Sequence, residues 1–289
     1  MSDLSFWLVQ ALHGLQYSML LFLLSVGLTV IFGLLHFVNL AHGALYALGA
    51  YISFSLTNWT GSFWAGFFGA PLGVALVGIS LYLGLIRQMR KAGPMNQVLV
   101  TFGLIFIFLD LCRILWGDIA LGVEQPEIFS KTVEFLGVTY PSYRLFVIAL
   151  GLAVMGGLHL VLSRTQIGAM IRAGVDNDQM AACLGINVEQ LFFFVFCVGC
   201  ALAGIAGAVA APILSVSPEM GTSILIPTLI VVVIGGLGSL PGAILGSLLV
   251  GFIQTIGAVV APQLASILVY ALLAGVLILK PSGLLPARS

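Results

Sequence analysis

The sequence predicts an all-α, polytopic transmembrane helical bundle, and three observations carry that prediction. Hydrophobic residues make up 61% of the chain and charged residues only 7%, with a mean hydropathy of +1.19; a soluble domain carries about 25% charged residues. The apolar residues come in long continuous runs, whereas the strands of a membrane barrel alternate apolar and polar positions. Lys and Arg collect in a few of the segments between runs, as they do in polytopic helical proteins. The whole chain, 1–289, reads as a single transmembrane domain of about eight spans. Its formal net charge of zero offers nothing to attract nucleic acid.

The elements follow in order. The first run, residues 6–32, is long enough to cross a bilayer with tilt, and the amino end MSDLSFW lacks the basic region of a cleavable signal, so it reads as a retained helix. Residues 33–43 interrupt it, and a second run rich in Gly and Ala follows to about Leu56; small residues let helix backbones approach closely. A third run, 64–86, ends in Arg87, Arg90 and Lys91, the densest basic cluster in the chain, which places that loop in the cytoplasm. A fourth run, 98–116, leads to a mixed, mildly acidic stretch, 117–142, expected on the outer side. A fifth run, 143–162, returns to the cytoplasm with Arg164 and Arg172.

The sixth run, 191–214, carries two ridges of small residues at four-residue spacing, a pattern for tight packing. From Ile224 to about Val260 the chain is apolar but broken at 235–242, GGLGSLPG, into halves near or below the roughly 20 residues of a full crossing. A hairpin there would put the carboxyl end, with Lys280 and Arg288, in the cytoplasm; a single bent span would put it outside. The charges favour the hairpin. Two interrupted segments, 33–43 and 235–242, thus sit in opposite halves of the chain, a pointer to a transport path built from repeats.

Between the fifth and sixth runs lies RTQIGAMIRAGVDNDQMAACLGINVEQ, residues 164–190. Asp176 and Gln179 have the spacing of a capping box, and Gly185 supplies a stop, which predicts a helix of about eight residues, some 12 Å long. Asn187 and Gln190 form a second box opening the next run. A helix too short to span, held between two spans and presenting the small side chains of Ala181 and Ala182, reads as a docking element on the cytoplasmic side.

The chemistry present is sparse. No G-x-x-x-x-G-K-[ST] phosphate loop occurs, so nucleotide is not bound by that route. Asp110 and Arg113, at i,i+3 spacing near the outer end of their helix, read as a mutually neutralising pair rather than a proton relay. Cys197 and Cys200 lie within an apolar helix with no second pair and no nearby histidine, which argues against metal or redox use. No enzyme site is visible. Asn39 and His42, one turn apart beside the first interruption, either line a path for an uncharged or zwitterionic solute or hold helices together; residue type alone leaves both open. A transporter of this composition lacks its own energy source, so it conducts passively or borrows one.

Three stretches now carry a resemblance: GLTVIFGLLHFVNLAHGALYALGAY (27–51), RAGVDNDQMAACLGIN (172–187) and GGLGSLPGAILG (235–246). In order and spacing they resemble the permeases of branched-chain amino-acid ABC importers, specifically the shorter of their two permease types, and the similarity runs over nearly the whole chain. The resemblance implies a multi-pass subunit of the bacterial inner membrane with no cofactor of its own. Its implied partners are a second related permease, two cytoplasmic ATPases that bind the ATP, and a periplasmic substrate-binding protein. It implies that Arg172, Asp176, Asp178, Ala181, Ala182, Gly185, Ile186 and Asn187 form the segment coupled to the ATPase. Asn39, His42, Gly43, Gly235, Gly236 and Gly238, in the other two motifs, are the candidate path residues. Solutes of the family include branched-chain and other neutral amino acids, urea and short amides. A self-contained channel or facilitator is the competing reading from a different class.

Overall fold

In the computed structural model, which describes residues 3–35, 37–89, 92–135 and 138–286, the chain is a helical bundle. Arg90, Lys91 and Arg288, named above, lie outside the described residues. The order is α1 (Asp3–Leu35), α2 (His42–Thr60), α3 (Phe63–Leu81), which continues through a π turn into α4 (Arg87–Met89), and α5 (Pro94–Trp116). After the outer stretch come α6 (Ser142–Arg164), α7 (Gln166–Asp176), α8 (Asp178–Cys183), α9 (Val188–Leu214), α10 (Met220–Gly235), α11 (Leu240–Val260) and α12 (Ala265–Leu279). Among the described residues six helices are long and apolar enough to cross a membrane; α10 and α12 are shorter apolar helices. An unanticipated feature is a small antiparallel hairpin, β1 (Thr132–Phe135) and β2 (Val138–Pro141), in the stretch between α5 and α6.

The first helix is the central column. Its most apolar window is 83% buried, against 22% for α5 and 17% for α6, and it packs on α11, α9 and α6. Apolar side chains all round suit that position, because a helix with no polar face has no side that prefers water. Around it, contact is set by small residues. Gly49 of α2 meets Gly204 of α9, where an added Cβ would lie 2.7 Å from the Gly204 Cα, and Gly27 of α1 meets Gly199, where it would lie 2.8 Å from the Gly199 carbonyl oxygen. The small-residue ridges of α9 therefore face α2, α3 and α1.

The interruption at 235–242 is a hairpin turn. Gly235 abuts Gly242, and Gly246 of α11 abuts the Val231 carbonyl of α10, so the two helices run antiparallel. Ser239 caps α11 by accepting a hydrogen bond from the Gly242 amide at 3.1 Å, and Pro241 sits in its first turn. The carboxyl segment returns to this turn: the Leu284 amide donates to the Ile234 carbonyl (2.8 Å) and the Leu285 amide to Gly235 (3.0 Å).

The connecting segments sort to two ends of the bundle. At one end Arg87 pairs with Glu189 at 2.5 Å, and Leu34 of α1 touches Gly174 of α7 near the hairpin turn. At the other, Leu121 and Val216 exchange backbone hydrogen bonds of 2.8 and 2.7 Å. There too His13 Nδ1 accepts from Arg144 at 2.6 Å and lies 3.2 Å from the Tyr140 hydroxyl. Arg87 of α4, the 164–190 stretch and the carboxyl segment through Pro286 thus share one end.

Candidate functional site

Two regions hold the residues singled out from the sequence. In the first, the interrupted segments meet. Gly33 faces Gly238, with an added Cβ on Gly33 lying 3.0 Å from the Gly238 Cα, and Gly43 at the start of α2 abuts the Gly221 carbonyl of α10. Gly235 and Gly236 are buried, the latter against Pro286 and Gly283. Asn39 is 2% exposed and its carbonyl accepts from the His42 amide at 3.2 Å, forming the turn that starts α2. His42 is fully buried and its Nε2 lies 3.1 Å from the Leu24 carbonyl, tying α2 to the middle of α1. Its Nδ1 is buried with no partner among the described residues. In this conformation His42, Gly43, Gly235, Gly236 and Gly238 sit at close contacts between segments, and Asn39 is buried in the turn before α2.

The second region is the 164–190 stretch, where the structure corrects the expected cap. Asp176 does not open the short helix; it is the last residue of α7, a helix not expected from the sequence. Asn177, in extended conformation, caps α8 by accepting from the Met180 amide at 2.8 Å, so α8 has six residues rather than eight. The shift by one follows from α7 itself: Thr165 caps its start, the Arg172 guanidinium donates to the Leu162 carbonyl, and Gly168 packs on the end of α6, which carries the first helix through Asp176. The Thr165 cap was the legible signal for α7.

The end of α8 is as expected. The Ile186 amide donates to the Ala181 carbonyl (3.1 Å) and the Gly185 amide to Ala182 (3.0 Å), the two bonds of a Schellman stop, with Gly185 at φ +86°. Asn187 then accepts from the Gln190 amide at 3.1 Å and starts α9. Of the candidate coupling residues, Arg172, Asp176, Asp178, Ala182, Gly185 and Asn187 are exposed, Ile186 is half-buried, and Ala181 is turned inward at 2% exposure. Sequence reasoning missed two others: Met180 (59% exposed) and Leu184 (74%) stand four residues apart on the outer side of this element. Two large apolar side chains thus project at the end of the bundle that carries the Arg87–Glu189 pair.

The outer end holds a further group that the sequence showed only in part. Arg113 bridges Asp110 at 3.8 Å, as its spacing suggested, but lies closer to Asp118 (3.1 Å) and also reaches Glu219 (3.4 Å), the residue before α10. The expected pair is a hub joining α5, the following loop and α10.

With this geometry in place, comparison with known proteins is informative. Residues 10–277 match the family model described as branched-chain amino acid transport system / permease component. The high-affinity branched-chain amino acid transport system permease protein BraD of Pseudomonas aeruginosa is 28% identical, over 99% of this chain and 97% of that protein. The corresponding protein LivH of Escherichia coli is 25% identical, over 97% and 96%. The autoinducer 2 import system permease protein LsrD of Salmonella typhi is 31% identical over 64% of this chain and 60% of that protein. No solved structure matches. This polytopic helical bundle, matched over almost all its length, belongs to the family of branched-chain amino acid transport permeases.

Proposed function

We propose that this chain is the membrane-spanning subunit of an ABC importer in a bacterial inner membrane, translocating branched-chain or other small neutral amino acids with ATP hydrolysed on partner subunits. The observation that carries the reading is α8 with its exposed Met180 and Leu184, a capped and stopped helix at the end of the bundle where Arg87 and the carboxyl segment lie. That end is cytoplasmic by the positive-inside rule. A knob of this kind suits a cleft on a cytoplasmic ATPase, and the stretch leads straight into the core. Gly174 of α7 touches Leu34 at the inner end of α1, next to the Gly33–Gly238 contact. Movement imposed on α8 has a packed route to the path candidates around Asn39, His42 and Gly43, and to the hairpin glycines Gly235, Gly236 and Gly238.

A second related permease and a periplasmic binding protein complete the proposed assembly. Urea or a short amide is the alternative cargo, and a self-contained channel the alternative class. The test is gentle purification of the tagged chain, followed by uptake from proteoliposomes. Co-purification of two ATPases and a second permease, with leucine uptake only when all are present and ATP is supplied, supports the importer. Downhill flux through the isolated chain overturns it, and uptake of urea without leucine overturns the cargo.

A further inference from the structure

Where α3 gives way to α4, a cleft of about 330 Å³ opens against the start of α9, lined by Tyr82, Leu83, Arg87, Glu189, Gln190 and Phe193. The π turn over Tyr82–Ile86 shapes one wall: the Arg87 amide reaches the Tyr82 carbonyl, five residues back. In a regular α-helix residues five apart sit about 140° apart around the axis, and the extra residue of the π turn brings Arg87 round towards the face of Tyr82. Tyr82 is buried and held in place, its hydroxyl donating to the Glu189 carbonyl at 3.5 Å and its ring 5.4 Å from that of Phe193. Arg87 and Glu189 stay open to solvent, with side chains 57% and 53% exposed. Their bridge engages Nε of the guanidinium and Oε1 of the carboxylate; the two Nη groups of Arg87 and Oε2 of Glu189 have no partner among the described residues. The cleft also crosses a sharp polarity boundary. On α9, Glu189 and Gln190 are followed by Leu191 to Phe194, all apolar. From Leu83 an outward stripe continues along α3 through Leu76, Leu72 and Phe68, each more than half exposed and spaced as one face of a helix that meets lipid.

We infer that this cleft holds the headgroup of a bilayer phospholipid bearing a primary ammonium, a phosphoethanolamine head, with its acyl chains laid along the α3 stripe. The free Nη groups of Arg87 suit a phosphate, which a guanidinium can grip through two parallel N–H donors. The free oxygen of Glu189 accepts from the ammonium. The lipid therefore adds to the ion pair instead of breaking it, and both members keep a matching charge. A phosphoglycerol head brings only a negative charge, to the side of Glu189, and a trimethylammonium head has no N–H to donate. The volume is at the small end of ligand sites, enough for a head but not for two acyl chains. Those chains are what the stripe is suited to: a soluble phosphate does not use it, and a cytoplasmic protein cannot follow it into the bilayer. The bound head ties the end of α3 to α9 just after Asn187, where the 164–190 stretch rejoins the core. The inference requires only that the chain spans a membrane; it does not depend on the cargo or on the importer reading.

The experiment titrates the full-length chain, purified in detergent, with phosphatidylethanolamine, phosphatidylcholine and phosphatidylglycerol of identical acyl chains, and counts bound lipid by native mass spectrometry. O-phosphoethanolamine and inorganic phosphate serve as soluble competitors. Phosphatidylethanolamine should bind about 10-fold more tightly than either other lipid, the worth of one charge-assisted hydrogen bond, and neither soluble competitor should displace it at equal concentration. Arg87→Gln should weaken phosphatidylethanolamine and phosphatidylglycerol alike, by about 10-fold. Glu189→Gln should weaken phosphatidylethanolamine alone and erase its preference; phosphatidylglycerol bound by the same sample shows that the variant is folded. Equal affinity of the wild-type chain for the three lipids would mean ordinary boundary lipid and overturn the site. Displacement by phosphoethanolamine or phosphate would make it a soluble-anion site, and a preference that survives Glu189→Gln would remove its ammonium contact; either result overturns the proposal. The same titration of the complex with its partner subunits should give the same preference. A complex that binds no phosphatidylethanolamine, with the cleft covered by a partner protein, would show a protein contact there and overturn the lipid.

Discussion

Gly33 and Gly238, one from each interrupted segment, lie backbone against backbone: a Cβ built on Gly238 would sit 2.7 Å from the Gly33 Cα. This single contact joins the end of the central helix to the turn of the α10–α11 hairpin. It leaves no room for a side chain on either residue, and Gly238 also adopts φ +76°.

Gly33→Val is therefore expected to destabilise the bundle by about 1–3 kcal/mol, the usual cost of forcing atoms into a filled core. Thermal unfolding of the detergent-purified chain measures it. An unchanged midpoint at normal yield would mean that the two segments do not hold this contact.

His42 carries a hydrogen bond between helices, and replacing it by leucine should cost about 1 kcal/mol of stability, near the typical value for such bonds in membranes. If His42 and Asn39 also meet the solute, flux per assembled complex falls as well, because an unmet polar group costs on the order of 1–3 kcal/mol. Uptake and complex content measured in the same membranes separate the two effects for His42→Leu and Asn39→Leu. Normal flux per complex in both variants removes them from the path.

Gly185→Val should uncouple transport while the protein still inserts. At φ +86° a β-branched residue is strongly disfavoured, and the two hydrogen bonds that stop α8 would be lost or displaced. We expect uptake to fall at least 10-fold with normal expression. Uptake at the wild-type rate would refute the coupling role of α8.

Met180→Asp and Leu184→Asp test the same element without disturbing the fold, since both side chains project away from the bundle. Each should leave the stability of the isolated chain, followed by thermal unfolding, within about 0.5 kcal/mol of wild type, as exposed changes do. Each should sharply reduce the ATPase recovered with the chain. Full recovery of ATPase with both variants would place the dock elsewhere.

The sequence by itself determined the class of this protein. Continuous apolar runs with few charges leave only a membrane bundle, because backbone polar groups in lipid must be satisfied within each helix. Local signals worked wherever the deciding atoms are neighbours in the chain: the Gly185 stop and the Asn187 cap. They failed by one residue at Asp176, where Asn177 won the cap because the preceding helix, anchored by Thr165 and Arg172, ran through Asp176. What only the tertiary structure decided depends on residues far apart in sequence. The choice between hairpin and bent span at 235–242 rests on Gly235 against Gly242 and on Leu284 and Leu285 returning to pair with α10. The meeting of Gly33 with Gly238, and the widening of the Asp110–Arg113 pair into a hub with Glu219, rest likewise on distant segments. Periodicity and spacing report what a segment can bury; which partner buries it is set by the packing of the whole bundle, where small residues let one particular pair of backbones touch.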